Sequence, residues 1–323
     1  MKEFLRELNS YTENIWRDSG AWPDLISGMR QAVKIESAST TSEHVFPRWT
    51  LLPRLCCDSI GETPDGIIEL TTAWLLLYAA ADLMDSVQDH DDEESWWTEI
   101  GVGGALGIAS GLYFSSSLAL TRLEEKIRSA NRGSIIAEIY RGFMYMCSGQ
   151  LRDILVESPS LDEYWQIAAA KSGTFFRLGC QAAAMLSSAD QYYHQVYSKI
   201  GTEIGLMIQI RDDLDDFRQL KEIDQNHHGL GIRGSLPVVY TIDVLPAEES
   251  TQLIAYLSEA LIDKAASAEM INIIDKSGAG IYILAELKRH GLAALTALEE
   301  VHPREPAGSE LRGIINQLMG AMD

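Results

Sequence analysis

The 323-residue sequence predicts an all-α protein, and three observations carry that expectation. Its nine prolines avoid the long periodic segments: none falls between Pro64 and Pro159, or between Pro159 and Pro237. Proline removes a backbone donor and clashes with the preceding turn, so such gaps leave room for long helices. Apolar residues recur at helical spacing, as in Leu70, Ala73, Trp74, Leu77 and Tyr78, and again in Ile200, Ile204, Met207, Ile208 and Phe217. Strand alternation and hairpin signals are absent over the same stretches, and no short repeat suggests a solenoid.

No Gly/Ser/Pro-rich linker or charge run divides the chain, so residues 1–323 are read as a single domain. The start, Met1-Lys-Glu-Phe-Leu-Arg-Glu-Leu8, is charged and amphipathic without the apolar core of a signal peptide. Cys56, Cys57, Cys147 and Cys180 have neither metal-ligand spacing nor the density of a secreted scaffold, and they read as reduced core residues. Together these features predict a cytoplasmic protein.

Ile100 to Thr121 contains no charged residue and is long enough to span a bilayer, but it is crowded with Gly and Ser and sparse in large aliphatics. Gly103, Gly107 and Gly111 recur every four residues, which lets another helix approach closely. The expectation is a buried central helix and no transmembrane segment. The formal net charge of -21 excludes simple electrostatic docking on nucleic acid or anionic lipid. Bound metal ions would still allow an anionic substrate.

Two acidic clusters punctuate the apolar stripes. In the first, Asp82-Leu-Met-Asp85-Ser-Val-Gln-Asp89, the carboxylates of Asp85 and Asp89 stand one helical turn apart on one face. In the second, Gln209-Ile-Arg-Asp212-Asp213-Leu-Asp-Asp216, the candidates are Asp212, Asp213 and Asp216. Like charges stacked this way repel unless a cation joins them. Hard divalent ions take carboxylate and phosphate oxygens, so the pattern predicts Mg²⁺ and diphosphate chemistry. The run Asp91-Asp92-Glu93-Glu94 reads instead as a solvated face, and His227 and His228 as exposed loop residues.

The second cluster, with Ile204-Gly205 before it and Phe217, Lys221 and Gly-Ile-Arg233-Gly-Ser-Leu-Pro237 after it, resembles the second aspartate-rich region of the trans-isoprenyl diphosphate synthase (polyprenyl synthetase) family. Lys171-Ser-Gly-Thr-Phe-Phe176 resembles that family's Lys-Thr-Gly-type segment. The order and spacing of the pieces agree from about residue 45 to about residue 240. The resemblance implies an isoprenoid-synthase helical bundle around a deep apolar cavity, and a homodimer. It implies Mg²⁺ held by Asp85, Asp89, Asp212, Asp213 and Asp216, and an allylic diphosphate gripped by Lys171, Arg233 and Arg48. Gln209 would orient the second cluster or face the cation. Trp74, Leu77, Ala80 and Ala81, ahead of the first motif, would line the prenyl-chain pocket.

The sequence departs from the family where cations are expected. The usual Asp-Asp-x-x-Asp has Ser86 at its second position, the following arginine pair is replaced by His90-Asp-Asp-Glu-Glu-Ser-Trp-Trp97, and the Gly-Lys-x-x-Arg-Pro region keeps only Arg48. The allylic site is thus expected to be retained and the isopentenyl diphosphate site eroded. Such an enzyme would ionise an allylic prenyl diphosphate and pass the prenyl group to another acceptor, for which a peptide tryptophan is the model, since the first motif and its Trp resemble ComQ-type prenyltransferases. The alternatives are a chain-elongating isoprenyl diphosphate synthase, a class I terpene cyclase, and a non-catalytic regulatory subunit of a prenyltransferase.

Overall fold

A computed structural model describes residues 2–33, 48–61, 63–89, 96–127, 134–156, 158–188, 190–222, 234–259 and 264–320. Regular structure among the described residues is helical throughout, as expected. Arg233, Asp91 to Glu94, His227 and His228 lie outside the described residues, as do the side chains of Arg48, Asp89 and Lys221. The chain gathers into two compact units, each built from interleaved segments.

The first unit comprises Met1–Tyr140, Gly179–Tyr197 and Val301–Ile314. Its centre is α4 (Ile67–Asp89), against which α1 (Lys2–Asp18), α2 (Pro23–Val33), α3 (Leu52–Ile60) and α5 (Gly101–Ile127) pack. The stripe Leu70, Ala73, Trp74 and Leu77 is buried as its spacing predicts. Polar ties fix the packing: Ser116 Oγ donates to the Ala73 carbonyl at 2.9 Å, and Trp16 Nε1 donates to Ser115 Oγ at 3.2 Å. On α8 (Thr174–Ser187), Gly179 leaves room for the indole of Trp74, since a Cβ there would lie 2.7 Å from Trp74 Nε1. Cys56, Cys57 and Cys180 are buried free thiols, whereas Cys147 is exposed.

One expectation requires correction. The Ile100–Thr121 stretch does form a long helix, α5, but it is not a buried central one. In its most apolar window 39% is buried, against 72% for α4, although both helices are long and apolar enough to cross a membrane by composition. Ala105, Ile108, Leu112, Ala119 and Leu123 face the core, while Val102, Leu106, Phe114 and Leu118 are exposed. Gly111 abuts Leu25 and Met29, whereas no atom lies within 4 Å of a Cβ built at Gly103 or Gly107. A helix that is apolar all round cannot announce which face is covered.

The second unit comprises Arg141–Leu178, Ser198–Glu300 and Ile315–Asp323. Here α10 (Leu236–Val244) packs against α7 (Leu161–Ala168), α11 (Ala247–Glu259), α12 (Lys264–Lys276) and α13 (Ala279–Glu300). Phe217, on the long helix α9 (Gln191–Glu222), is buried with Val238, Leu253, Leu257, Met270 and Ile274. The residue immediately after Asp216 is therefore a hydrophobic anchor that fixes the acidic end of α9. Farther back on α9, Glu203 Oε2 meets the buried His290 Nδ1 of α13 at 2.6 Å, tying these helices through a polar contact.

Gly179→Ala should lower stability by about 1–3 kcal/mol, because the buried indole would have to shift to admit the added methyl. Chemical denaturation of the two proteins measures this, and an unchanged midpoint would show that Trp74 has space to move.

Candidate active site

The best-defined polar centre lies in the second unit and begins with backbone geometry. Between α7 and α8 the chain does not run on as regular helix: Ala169–Gly173 forms a π turn that carries Lys171 at its middle. Such turns widen the helix by one residue and so redirect the side chain they carry. Small residues surround it because backbones meet here. A Cβ at Gly205 of α9 would lie 2.3 Å from the Ser172 carbonyl oxygen, and one at Gly149 of α6 (Ser134–Leu155) would lie 2.6 Å from Ala170 Cβ. Glycine at these two positions allows the approach. Thr174 Oγ1 donates to the Ala169 carbonyl at 3.0 Å and closes the turn.

The turn presents Lys171 to Asp153 of α6, with Nζ 2.5 Å from Oδ2 in a half-buried ion pair. Its neighbour Ser172 starts a hydrogen-bond chain: Ser172 Oγ donates to Gln209 Oε1 at 2.8 Å, and Gln209 Nε2 donates to Asp213 Oδ1 at 2.9 Å. Asp213 accepts two more bonds on Oδ2, from Tyr164 Oη and from the Leu236 backbone N–H, each at 2.7 Å. Burial pushes the Asp213 carboxyl above the ordinary carboxylate range, opposed by the bonds from Tyr164, Leu236 and Gln209 and by the Lys171 charge. Tyr164 is itself held well above the usual phenol range by burial and then by the neighbouring Asp213, Asp153 and Asp212 charges.

Local sequence explains how these partners arrive. Ser160 and Glu163 form a capping box, which starts α7 one turn before Tyr164. Ser235-Leu236-Pro237 opens α10, with Ser235 extended and giving no side-chain cap. The Leu236 N–H, one of the orphan donors of a helix start, is satisfied by Asp213 instead.

The three second-cluster aspartates therefore have different surroundings. Asp213 is buried, whereas Asp212 and Asp216, one turn apart, are exposed. In the first unit, Asp85 is partly exposed near the end of α4 and Asp82 is exposed. Ser86 Oγ accepts a 3.0 Å bond from the buried Trp97 Nε1, which docks the short 3₁₀ turn Trp96–Glu99 on α4. Of the residues expected around the prenyl chain, Trp74, Leu77 and Ala80 are buried in this unit and Ala81 is partly exposed.

Among the described residues no three His, Cys, Asp or Glu side chains gather closely enough to hold an ion unaided. The donor chemistry nevertheless fits magnesium. That ion is commonly held by one or two carboxylates and completed by water and substrate phosphate, and Asp85, Asp212 and Asp216 supply accessible hard oxygens.

Residues 50–274 match the family described as Polyprenyl synthetase. The chain belongs to that family. It is accordingly a prenyltransferase of isoprenoid biosynthesis. It is 27% identical over 164 residues to a geranylgeranyl diphosphate synthase of Mycobacterium tuberculosis, a match covering 49% of this chain and 45% of that protein, so it spans less than half of that relative's length. It is 23% identical over 262 residues to geranylgeranyl pyrophosphate synthase 1 of Zymoseptoria tritici, covering 75% and 73% of the two chains. Its fold is similar to that of the geranylgeranyl pyrophosphate synthetase of Pyrococcus horikoshii, with a TM-score of 0.76 over 99% of both chains at 18% identity.

Sequence reasoning picked out Lys171, Gln209 and Asp213, and the fold brings all three together. It missed Asp153 and Tyr164. Asp153 is one acid among 47, and its only local signal is Gln150-Leu-Arg-Asp153, two polar residues three apart on an apolar helix. Tyr164 reads as one more position in an amphipathic helix, and its partner is 49 residues away.

Replacing Gly205 by alanine should force the π turn off α9, because backbone rather than a flexible side chain opposes the new methyl. Turnover should fall by about 10²-fold, since small misplacements of a positioning group carry penalties of this order. Steady-state kinetics on the folded variant provides the check, and activity near the parent level would show that the turn adapts.

Proposed function

We propose that the protein is a Mg²⁺-dependent prenyltransferase that ionises an allylic prenyl diphosphate and delivers the prenyl group to an acceptor other than isopentenyl diphosphate. One observation chiefly supports the first half: in a single unit, Lys171, Asp153, Tyr164, Gln209 and Asp213 are linked to the helix that exposes Asp212 and Asp216.

In this reading Asp85 and Asp89 on α4, and Asp212 and Asp216 on α9, would hold magnesium. When bound, the metal neutralises charge that grows on the diphosphate as the allylic C–O bond breaks. Lys171 exchanges Asp153 for the substrate and gives charge-assisted hydrogen bonds to the leaving diphosphate. Arg233 and Arg48 add positive charge to the same groups. Gln209 stands between the π turn and Asp213 and holds their register. The apolar surface of Trp74, Leu77, Ala80 and Ala81 encloses the prenyl chain and excludes water from the cation.

For the acceptor, charge decides. From Leu55 to Thr121 the sequence has no Lys or Arg and twelve Asp or Glu. A second diphosphate at the first motif would meet carboxylates and the neutral Ser86–Trp97 pair, so its desolvation would go unrewarded. An uncharged acceptor, such as a tryptophan side chain of a peptide, suits that surface. The second reading is chain elongation, which the names of the geranylgeranyl diphosphate synthases among the similar proteins favour.

A cytoplasmic homodimer built as one domain per chain completes the proposal. The exposed apolar positions of α5, and Met144, Leu151 and Leu155 of α6, support a second copy as their cover.

Asp212→Ala should slow Mg²⁺-dependent diphosphate release from farnesyl or geranylgeranyl diphosphate by about 10²–10³-fold, the usual loss when leaving-group stabilisation is removed. A folded variant with parental turnover would refute the metal assignment. Incubation with labelled isopentenyl diphosphate should yield little elongated product. Efficient elongation would select the second reading.

A further inference from the structure

Asp213 differs from its neighbours in kind. Its carboxylate is buried, and both oxygens are occupied by donors from three other places in the chain: the Tyr164 hydroxyl of α7, the first N–H of α10 and the Gln209 amide one turn earlier on α9. A buried carboxylate is tolerated when its lone pairs are satisfied, and it then resists recruitment elsewhere. Oδ2 already accepts two donors, so an ion there would have to displace one and leave it buried without a partner, and at Oδ1 an ion would have to share a buried oxygen with the Gln209 amide.

The geometry points to Asp213 as a positioning residue rather than a metal ligand: it caps the start of α10 from α9 and, through Gln209 and Ser172, fixes the π turn that carries Lys171. Each link has a physical reason. The Leu236 N–H is an orphan donor at a helix N-terminus, where negative charge is also favoured by the aligned peptide dipoles. Tyr164 sits one turn inside α7, whose C-terminal end continues into the π turn, so its bond to Asp213 restrains the turn from its upstream side. The Ser172–Gln209 bond restrains it directly. Of the three candidate ligands on that helix, Asp212 and Asp216 are the exposed ones.

This assignment rests on the proposed reading of the site only in treating Asp212 as a ligand, and it separates Asp213→Asn from Asp212→Asn. An asparagine oxygen in place of Oδ2 still accepts from Tyr164 and Leu236. Its amide nitrogen then meets Gln209, which can present Oε1 by turning its own amide while Ser172 Oγ becomes the acceptor. The whole chain of bonds survives with its direction reversed. A ligand, by contrast, loses the anionic oxygen that the ion requires.

The experiment compares Asp213→Asn, Asp213→Ala, Tyr164→Phe and Asp212→Asn by three readouts. These are steady-state diphosphate release, uptake of Mn²⁺ in the presence of inorganic diphosphate followed by electron paramagnetic resonance, and amide exchange at Leu236 in the metal-free protein. Asp213→Asn should keep turnover within about tenfold of the parent, retain the parent's Mn²⁺ stoichiometry and leave Leu236 protected, while Asp212→Asn loses both bound Mn²⁺ and about 10²-fold in turnover. Tyr164→Phe and Asp213→Ala should speed Leu236 exchange, the second more than the first.

Loss of Mn²⁺ by Asp213→Asn equal to that of Asp212→Asn would overturn the assignment. Leu236 exchange left unchanged by Tyr164→Phe and Asp213→Ala would overturn it as well. If Asp213→Ala does not fold, Tyr164→Phe decides by the same exchange measurement. A parent protein that takes up no Mn²⁺ with diphosphate refutes the metal reading of the site instead, and Leu236 exchange then judges the positioning role alone.

Discussion

The second unit depends on how one buried carboxylate is solvated by protein. Moving Asp213 out of water would be prohibitive without partners. The partners it receives are a phenol, a helix-start amide and a carboxamide, which come from α7, α10 and α9. The energy needed to keep that carboxylate satisfied therefore specifies the mutual placement of three helices. A hydrophobic cluster at the same end of α9, containing Phe217 and Val238, holds α9 and α10 together with α11 and α12 without fixing their register. Apolar contacts are non-directional, and the hydrogen bonds supply direction.

The π turn is the other place where backbone geometry and chemistry meet. Two glycines, Gly149 and Gly205, are pressed against Ala170 and Ser172 so closely that a methyl group at either would collide. This closeness brings the turn within reach of both α6 and α9. Lys171 then pairs with an acid on the first, while Ser172 bonds an amide on the second. Adjacent residues of a helix point about 100° apart, so Lys171 and Ser172 reach partners on two different helices.

The first unit has a different economy of polar groups. Its acidic motif ends a helix whose interior is almost wholly apolar, and the departure at Ser86 is matched by Trp97, whose indole N–H needs an acceptor once buried. A serine hydroxyl satisfies that donor without adding a fourth negative charge beside Asp82, Asp85 and Asp89. The altered residue and the altered segment after it thus make contact as one neutral pair, in a stretch of the chain that has no lysine or arginine.

What the sequence determined by itself is local. Proline placement and 3.6-residue periodicity specified the helices, i and i+4 spacing specified which carboxylates share a face, and the buried stripe of α4 followed directly. Lys171, Gln209 and the second aspartate cluster were legible because they sit in short contiguous patterns. Tertiary structure decided everything that turns on a partner far along the chain. Asp212 and Asp213 are adjacent and chemically identical, yet one is exposed and the other is enclosed by residues 49 and 23 positions away. Helices α4 and α5 are both long and apolar, yet only the first is covered on most of its surface. Periodicity records the faces of a helix, but burial depends on what packs against each face, and that is fixed only when distant segments meet.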